Sequence, residues 1–178
     1  MNSVSGASSY HRQLIDQALA LARQEPGKPR QASLRRAVSA AYYAVFHSLV
    51  DETSMWLLGR GVEQRLLRHA LARTFSHAEM AQACRCFQAG FGGLPVHLQQ
   101  LLPGRAVHPA VAGMASAFVD LQEARHGADY DLSKRLSRTD ALTLVALADR
   151  SITSWPRDDP SAACLLLALQ SGARMKRA

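Results

Sequence analysis

The stretch LRRAVSAAYYAVFHSLV, residues 34–50, decides the fold of this protein. Its apolar side chains recur at spacings of three and four, which is the period of an amphipathic α-helix. One stripe suited to a protein core consists of Leu34, Val38, Ala41, Tyr42, Val45 and Leu49. A second stripe on the opposite side consists of Arg36, Ala40, Tyr43 and His47. A helix that is apolar or aromatic on two sides lies in the middle of a bundle or is shared with a partner. We therefore expect residues 34–58 to form the central helix, beginning after Ser33 as its cap.

The rest of the chain shows the same helical period and no run of alternating apolar and polar residues. Further helices are expected at 10–24, 62–74, 76–89, 109–131, 137–151 and 160–171. Ser76 with Glu79, and Ser137 with Asp140, have the spacing of a capping box. The prediction is an all-α, up-and-down bundle of four to five main helices with short extra helices. We expect a single domain over residues 1–178, with a core bundle at 8–155 and a C-terminal helix and basic tail at 156–178.

Composition restricts the class of protein. The 178-residue chain carries a formal charge of +7, which favours acidic partners such as nucleic acid. Three cysteines, Cys84, Cys86 and Cys164, are an odd and sparse set, so we expect reduced thiols and a cytoplasmic location. The N-terminal residues lack the pattern of a signal peptide. The longest apolar run, AACLLLAL at 162–169, is too short to span a bilayer, so no membrane partner is expected.

A second informative stretch is EARHGADYDLSKR, residues 123–135. Helical spacing places Arg125 within the inward stripe of its helix and Asp129 one turn later at the edge of that stripe. Two interpretations are open at this point. The two side chains form an internal ion pair that sets helix register, or Arg125 lies at the mouth of a cleft where its planar guanidinium binds a phosphate. His126 and Tyr130 fall on the outer side of the same turn.

Together, RRAVSAAYYAVFHSL at 35–49 and RHGADYD at 125–131 resemble the HEPN-domain family of helical bundles. The similarity is to the prokaryotic branch with R-x-x-A-D-Y in a late helix, and it covers the second helix and residues 109–150. It implies an up-and-down bundle, often dimeric, that acts in toxin–antitoxin, phage-defence or CRISPR-linked systems. Catalytic members of the family are metal-independent endoribonucleases. Several members pair with a small nucleotidyltransferase, which in some systems silences them by adding nucleotide to a tyrosine near the motif.

The resemblance assigns roles to individual residues and also has two departures. Arg125 matches the motif arginine, and Tyr130 matches the nearby tyrosine. The histidine that the family places four to six residues after the arginine is missing, and Asp129 stands at the fourth position. Where relatives have an arginine before the tyrosine pair, this chain has Ala40, although Arg36 lies one turn earlier on the same face.

The leading hypothesis is a HEPN-like component of a prokaryotic defence or toxin–antitoxin-type system that binds RNA or nucleotide. Arg125, Asp129 and His47 are the candidate catalytic residues, and Arg36, Tyr43, Arg125 and Tyr130 are the candidate binding residues. The expected partners are a second copy of the chain, a nucleotidyltransferase protein and RNA. One alternative is a non-catalytic dimeric adaptor with a structural Arg125–Asp129 pair. Another is a metal-independent endoribonuclease that uses His47 or His126 as its proton carrier.

No cofactor or metal is expected. His69, His77, Cys84 and Cys86 do not have the spacing of a known zinc site, and no phosphate-binding glycine motif is present.

Overall fold

The computed structural model describes residues 9–102, 104 and 106–171. These residues form eight α-helices and one 3₁₀ turn at Phe91–Gly93, with no strand among them. The helices are α1 (Tyr10–Arg23), α2 (Gln31–Leu58), α3 (Arg65–Ala72), α4 (His77–Gln88), α5 (Val96–Gln99), α6 (Pro109–Tyr130), α7 (Arg138–Thr153) and α8 (Pro160–Ser171). The predicted all-α bundle is confirmed.

Helix α2 is the central element of the bundle. It packs against α1, α3, α6, α7 and α8. The predicted core stripe of α2 is completely buried, including the ring of Tyr42. On the second stripe, Ala40 is buried, Tyr43 and His47 are half-buried, and Arg36 is exposed. A helix with burial on both sides therefore lies in the middle of the bundle, as its pattern predicts.

The predicted start of α2 at Ser33 is wrong, because the helix begins earlier, at Gln31. The Ser33 hydroxyl donates to Glu25 Oε1 at 2.8 Å in the preceding loop and therefore does not cap the helix. The Gln31 side chain holds the added turn through two bonds to the backbone of Leu136. Its Nε2 donates to the carbonyl at 2.8 Å, and its Oε1 accepts from the amide at 3.0 Å. A tertiary contact thus overrides the local capping preference.

The two predicted capping boxes have different outcomes. At the start of α7, the Ser137 hydroxyl accepts from the Asp140 amide at 3.1 Å, and Asp140 Oδ2 accepts from the Ser137 amide at 2.8 Å. Ser76 does precede α4, but its side chain makes no capping bond. The spacing therefore locates both helix starts correctly and predicts the reciprocal bonds correctly only at α7.

Two further observations, on the cysteines and on the length of the apolar helices, hold for the residues that the structure describes. The three cysteines are free thiols, with Cys84 and Cys164 buried. In this part of the chain, no helix has the length and apolar character needed to cross a bilayer.

We predict that Gly59→Ala lowers the free energy of unfolding by about 1 kcal/mol. Gly59 ends α2 with φ at 74°, a left-handed conformation that an added Cβ disfavours. No atom lies within 4 Å of that Cβ, so the cost is one of backbone conformation alone. Urea unfolding measures the effect, with Gly27→Ala as the matched control. Gly27 is equally uncrowded and lies outside the left-handed region, so an equal loss in both variants would contradict the prediction.

Candidate functional site

Arg125 on α6 is the centre of the candidate site. Its Nε lies 2.8 Å from Asp129 Oδ2, and the two side chains are 17% and 25% exposed. The two side chains therefore make the contact that the four-residue spacing allows, which was one of the two interpretations of the sequence. The Nε–H has no acceptor in hydrogen-bonding geometry despite this short distance. The contact is thus a charge pair whose N–H is not aligned with the carboxylate.

Asp129 connects α6 to α2. Its Oδ1 lies 2.7 Å from the hydroxyl of Ser39, a buried residue on α2. The same hydroxyl lies 3.1 Å from the carbonyl oxygen of Arg35 and has one proton to donate. The charged carboxylate is the stronger acceptor. The Arg125–Asp129–Ser39 contacts therefore link α6 to α2.

Three tyrosine rings surround the guanidinium of Arg125. Its Cζ lies 5.8 Å from the ring centre of Tyr42, 5.6 Å from that of Tyr43 and 6.0 Å from that of Tyr130. Nη2 also donates a long hydrogen bond of 3.4 Å to the Tyr43 hydroxyl. Cation–π attraction and the ion pair together hold the guanidinium in one orientation.

His77 is a member of this cluster that the sequence analysis did not place there. It is the first residue of α4, and its Nδ1 lies 2.6 Å from the Tyr42 hydroxyl. Its ring centre lies 4.2 Å from that of Phe46 and 6.0 Å from that of Tyr43. Gln122 Nε2 on α6 donates to the His77 carbonyl at 2.9 Å, which ties the start of α4 to the site.

The environment of His77 favours the neutral imidazole. Burial, and next the positive charge of Arg125, lower the pKa of His77 below its ordinary value. Burial raises the pKa of Tyr42, so its hydroxyl keeps its proton. The contact satisfies the buried hydroxyl in either tautomer of neutral His77. Tyr42 donates to Nδ1 when the ring proton is on Nε2, and Nδ1–H donates to the Tyr42 oxygen when Nε2 is unprotonated.

His47 lies one helical turn beyond Tyr43, at the edge of the cluster. Its ring centre is 6.2 Å from that of Tyr43 and 4.9 Å from that of Tyr10 on α1. Burial lowers the pKa of His47, opposed in part by Asp51. Within the described residues, no hydrogen bond joins His47 to Arg125. His47 is thus near the candidate site through Tyr43 and not in direct contact with its arginine.

Arg36 lines a groove between α1 and α2 next to the cluster. The groove has a volume of about 320 Å³, and its lining includes Ser39 and Tyr43, which also contact Asp129 and Arg125. Arg36 is exposed and points its charge to this side of α2. Tyr130 is 73% exposed, with its ring 5.9 Å from that of His126. The six candidate residues therefore lie in one region, with Arg36 and His47 at its margins.

In the described part of the chain, no group of three or more His, Cys, Asp or Glu side chains is arranged to hold a metal ion. Comparisons with protein-family models, with curated proteins and with solved structures find no match to this chain. Its function therefore has to be inferred from the arrangement of its own residues.

We predict that acidification from pH 7 to pH 5 destabilises the fold through His77 and His47. The pKa of each is lowered in the folded protein, so below the ordinary value near 6.5 the unfolded chain binds more protons. The contribution of these two histidines to the free energy of unfolding is fully present above that value. It is lost as the pH falls towards their pKa in the folded protein. Urea midpoints at several pH values measure the effect. His77→Gln is expected to reduce this dependence, and the same slope in wild type and variant would contradict it.

Proposed function

We propose that this protein is a HEPN-like component of a prokaryotic defence or toxin–antitoxin-type system that binds RNA around Arg125. The observation that carries the proposal is a pre-oriented arginine whose side chain is still partly accessible. Arg125 is 17% exposed, its Nε pairs with Asp129, and its Nη2 makes one long hydrogen bond of 3.4 Å to the Tyr43 hydroxyl. An arginine held in this way can present its terminal nitrogens to a phosphate with little loss of side-chain entropy.

The aromatic residues around Arg125 support single-stranded nucleic acid as the ligand. Tyr130 is largely exposed, and Tyr43 lines the neighbouring groove beside Arg36. Unpaired bases stack on such rings, with a contribution of about 1–3 kcal/mol per base. The formal charge of +7 adds attraction that does not depend on base sequence. Phosphate contact at Arg125 and stacking on a neighbouring tyrosine therefore favour RNA over a simple anion.

The first experiment is a titration of labelled single-stranded RNA, read by fluorescence anisotropy at low and moderate salt. Arg125→Gln is expected to weaken binding at least about tenfold, or about 1.4 kcal/mol. Arg150→Gln is the matched control because Arg150 is exposed on α7 and the charge change is identical. Equal losses in the two variants, or no binding by the wild type, would overturn the proposal. Circular dichroism establishes that both variants are folded.

Asp129→Asn separates the binding function from the adaptor alternative. The asparagine amide oxygen can still accept from Ser39, whereas the charge opposite Arg125 is lost. We expect RNA affinity to rise several-fold because the phosphate no longer competes with a carboxylate, while urea unfolding shows lower stability. If Arg125–Asp129 is purely structural, stability falls and RNA affinity does not rise. Binding and unfolding measured on the same preparation decide between the two functions.

A metal-independent endoribonuclease is the second candidate because His77 lies in the same cluster in its neutral form. Cleavage requires a base that removes the 2′-hydroxyl proton, positive charge on the phosphate and an acid for the leaving 5′-oxygen. Neutral His47, or neutral His77 with Nε2 unprotonated, is suited to the first role, and Arg125 is suited to the second. Water supplies the proton to the leaving 5′-oxygen. The test is RNA cleavage in the presence of a chelator, with analysis of the RNA ends. Activity that survives both His77→Gln and Arg125→Gln would contradict this assignment.

The expected homodimer and nucleotidyltransferase partner are parts of the same proposal. Light scattering of the purified protein measures the first, and co-purification with a co-expressed nucleotidyltransferase measures the second. Tyr130 is sufficiently exposed to accept a nucleotide, and mass spectrometry of the co-expressed protein tests that modification.

A further inference from the structure

A second concave surface lies at the far end of α2. Trp56 is thirteen residues beyond Tyr43, which places it about 20 Å away along the helix axis. Its side chain is 47% exposed, and Met55 and Leu57 beside it are also exposed. Large apolar side chains grouped at one place on a surface indicate an interaction site. This surface is separate from the Arg125 site.

Trp56 belongs to the lining of two hollows. The first has a volume of about 130 Å³ and includes Arg60, Trp155 and Arg157 in its lining. The second has a volume of about 220 Å³ and is lined almost entirely by apolar groups, among them Leu101, Pro160, Cys164 and Leu167. One hollow thus offers hydrogen-bond donors and positive charge, and its neighbour offers an apolar socket. We call the two together the Trp56 groove.

The polar hollow has donors without a matching acceptor. Trp155 is 6% exposed, and its indole N–H is buried without a hydrogen-bond partner among the described residues. Glu52, the acid in this hollow, is engaged by Arg157 through hydrogen bonds from Nε of 3.0 and 3.1 Å to its two oxygens. Arg60 is exposed and has no ion-pair partner in the described part of the chain. A buried donor without an acceptor is unfavourable, so a ligand that supplies an acceptor is stabilised by the new hydrogen bond.

We propose that the Trp56 groove binds an acidic, apolar peptide segment of a partner protein. A carboxylate of the segment accepts from Arg60 and the Trp155 indole, and an apolar side chain occupies the socket beside Leu101 and Leu167. Because the indole N–H is buried, the carboxylate reaches it only when the side chains that cover it shift aside.

Charge and shape favour an acidic peptide over a second copy of the chain or a bilayer surface as the ligand of the Trp56 groove. A second copy of the chain would bring its own unpaired Arg60 and the basic residues of α3, Arg65 and Arg68, towards like charges. A bilayer surface is flat and does not fill two concave hollows. An acidic peptide complements the free arginine and the indole donor, and its apolar side chain fits the socket.

The two tryptophans of the chain, Trp56 and Trp155, both line this groove, so fluorine labelling of tryptophan reports on it alone. The experiment uses the full chain labelled with 5-fluorotryptophan, whose two ¹⁹F signals are assigned with Trp56→Phe. The probes are short tryptophan-free peptides with leucine and glutamate at spacings of one to four residues. Matched peptides carry glutamine in place of glutamate.

We expect at least one glutamate peptide to shift both ¹⁹F signals at millimolar concentration and to bind at least tenfold more tightly than its glutamine form. Arg60→Gln is expected to weaken that binding to a similar extent. Arg73→Gln and Arg125→Gln are expected to leave it unchanged, since Arg73 is an exposed arginine outside the groove and Arg125 belongs to the other site. Independence from Arg125 separates this proposal from the RNA-binding function.

Three outcomes would overturn the proposal. The first is that no peptide moves either signal. The second is equal binding of glutamate and glutamine peptides, or movement of the Trp56 signal alone. The third is a shift that follows the concentration of the protein itself, which would identify a second copy of the chain as the occupant.

Discussion

Replacement of Phe118 by alanine is expected to lower the free energy of unfolding by about 3–5 kcal/mol. Phe118 on α6 is fully buried, and its ring meets that of Tyr42 on α2 edge to face at a centroid distance of 5.6 Å. Truncation removes the apolar contact area and leaves a cavity between the two helices that carry the candidate site. In a chain of this size such a loss lowers the melting temperature by about 6 °C or more.

Two variants control for this prediction. Phe118→Leu retains most of the volume and is expected to cost less than half as much. Leu132→Ala removes an apolar side chain that is 83% exposed, so the expected change is within about 0.5 kcal/mol. Urea and thermal unfolding measure all three. Equal stability of Phe118→Ala and Leu132→Ala would contradict the packing that brings Tyr42 and Arg125 together.

Replacement of Arg35 by alanine is expected to lower the free energy of unfolding by about 2–4 kcal/mol. The half-buried guanidinium donates from Nη1 to the Ala128 carbonyl. It also donates from Nη1 and Nη2 to the Asp131 carbonyl at 3.0 Å, and from Nη2 to the Lys134 carbonyl at 2.7 Å. The last carbonyls of a helix have no partner within it, and a cation there is favourable. Arg35 thus closes the end of α6 and holds the following loop against α2.

Two variants, Arg35→Lys and Arg36→Ala, are the controls for this prediction. Arg35→Lys keeps the charge but loses the planar fork that reaches several carbonyls, so we expect it to recover less than half of the lost stability. Arg36→Ala removes an exposed arginine one position along α2 and is expected to leave stability nearly unchanged. Full stability of Arg35→Lys in urea unfolding would show that a point charge is sufficient. Because Tyr130 lies just before this loop, RNA binding by Arg35→Ala is expected to fall as well.

Some contacts of the candidate site could be predicted from the sequence, and others could not. The Arg125–Asp129 pair could be predicted because both residues lie on one helix, where four positions correspond to about one turn. His77 could not be placed, because its contact with Tyr42 joins residues 35 positions apart and depends on how α4 packs on α6. Arg35 is similar, since the carbonyls that it binds lie more than ninety positions away along the chain. No spacing rule relates residues on separate helices.

The sequence by itself determined the helical class, the central place of α2, its buried stripe and the one-turn spacing of Arg125 and Asp129 on α6. Each depends on the period of a single helix, which is a local property of the chain. The tertiary structure decided which helices meet, and with that the additional turn of α2 before Ser33, the position of His77 beside the arginine and the two hollows around Trp56. These features arise where side chains from distant segments compete for the same contacts, and the winner is set by packing and hydrogen bonding in the folded bundle.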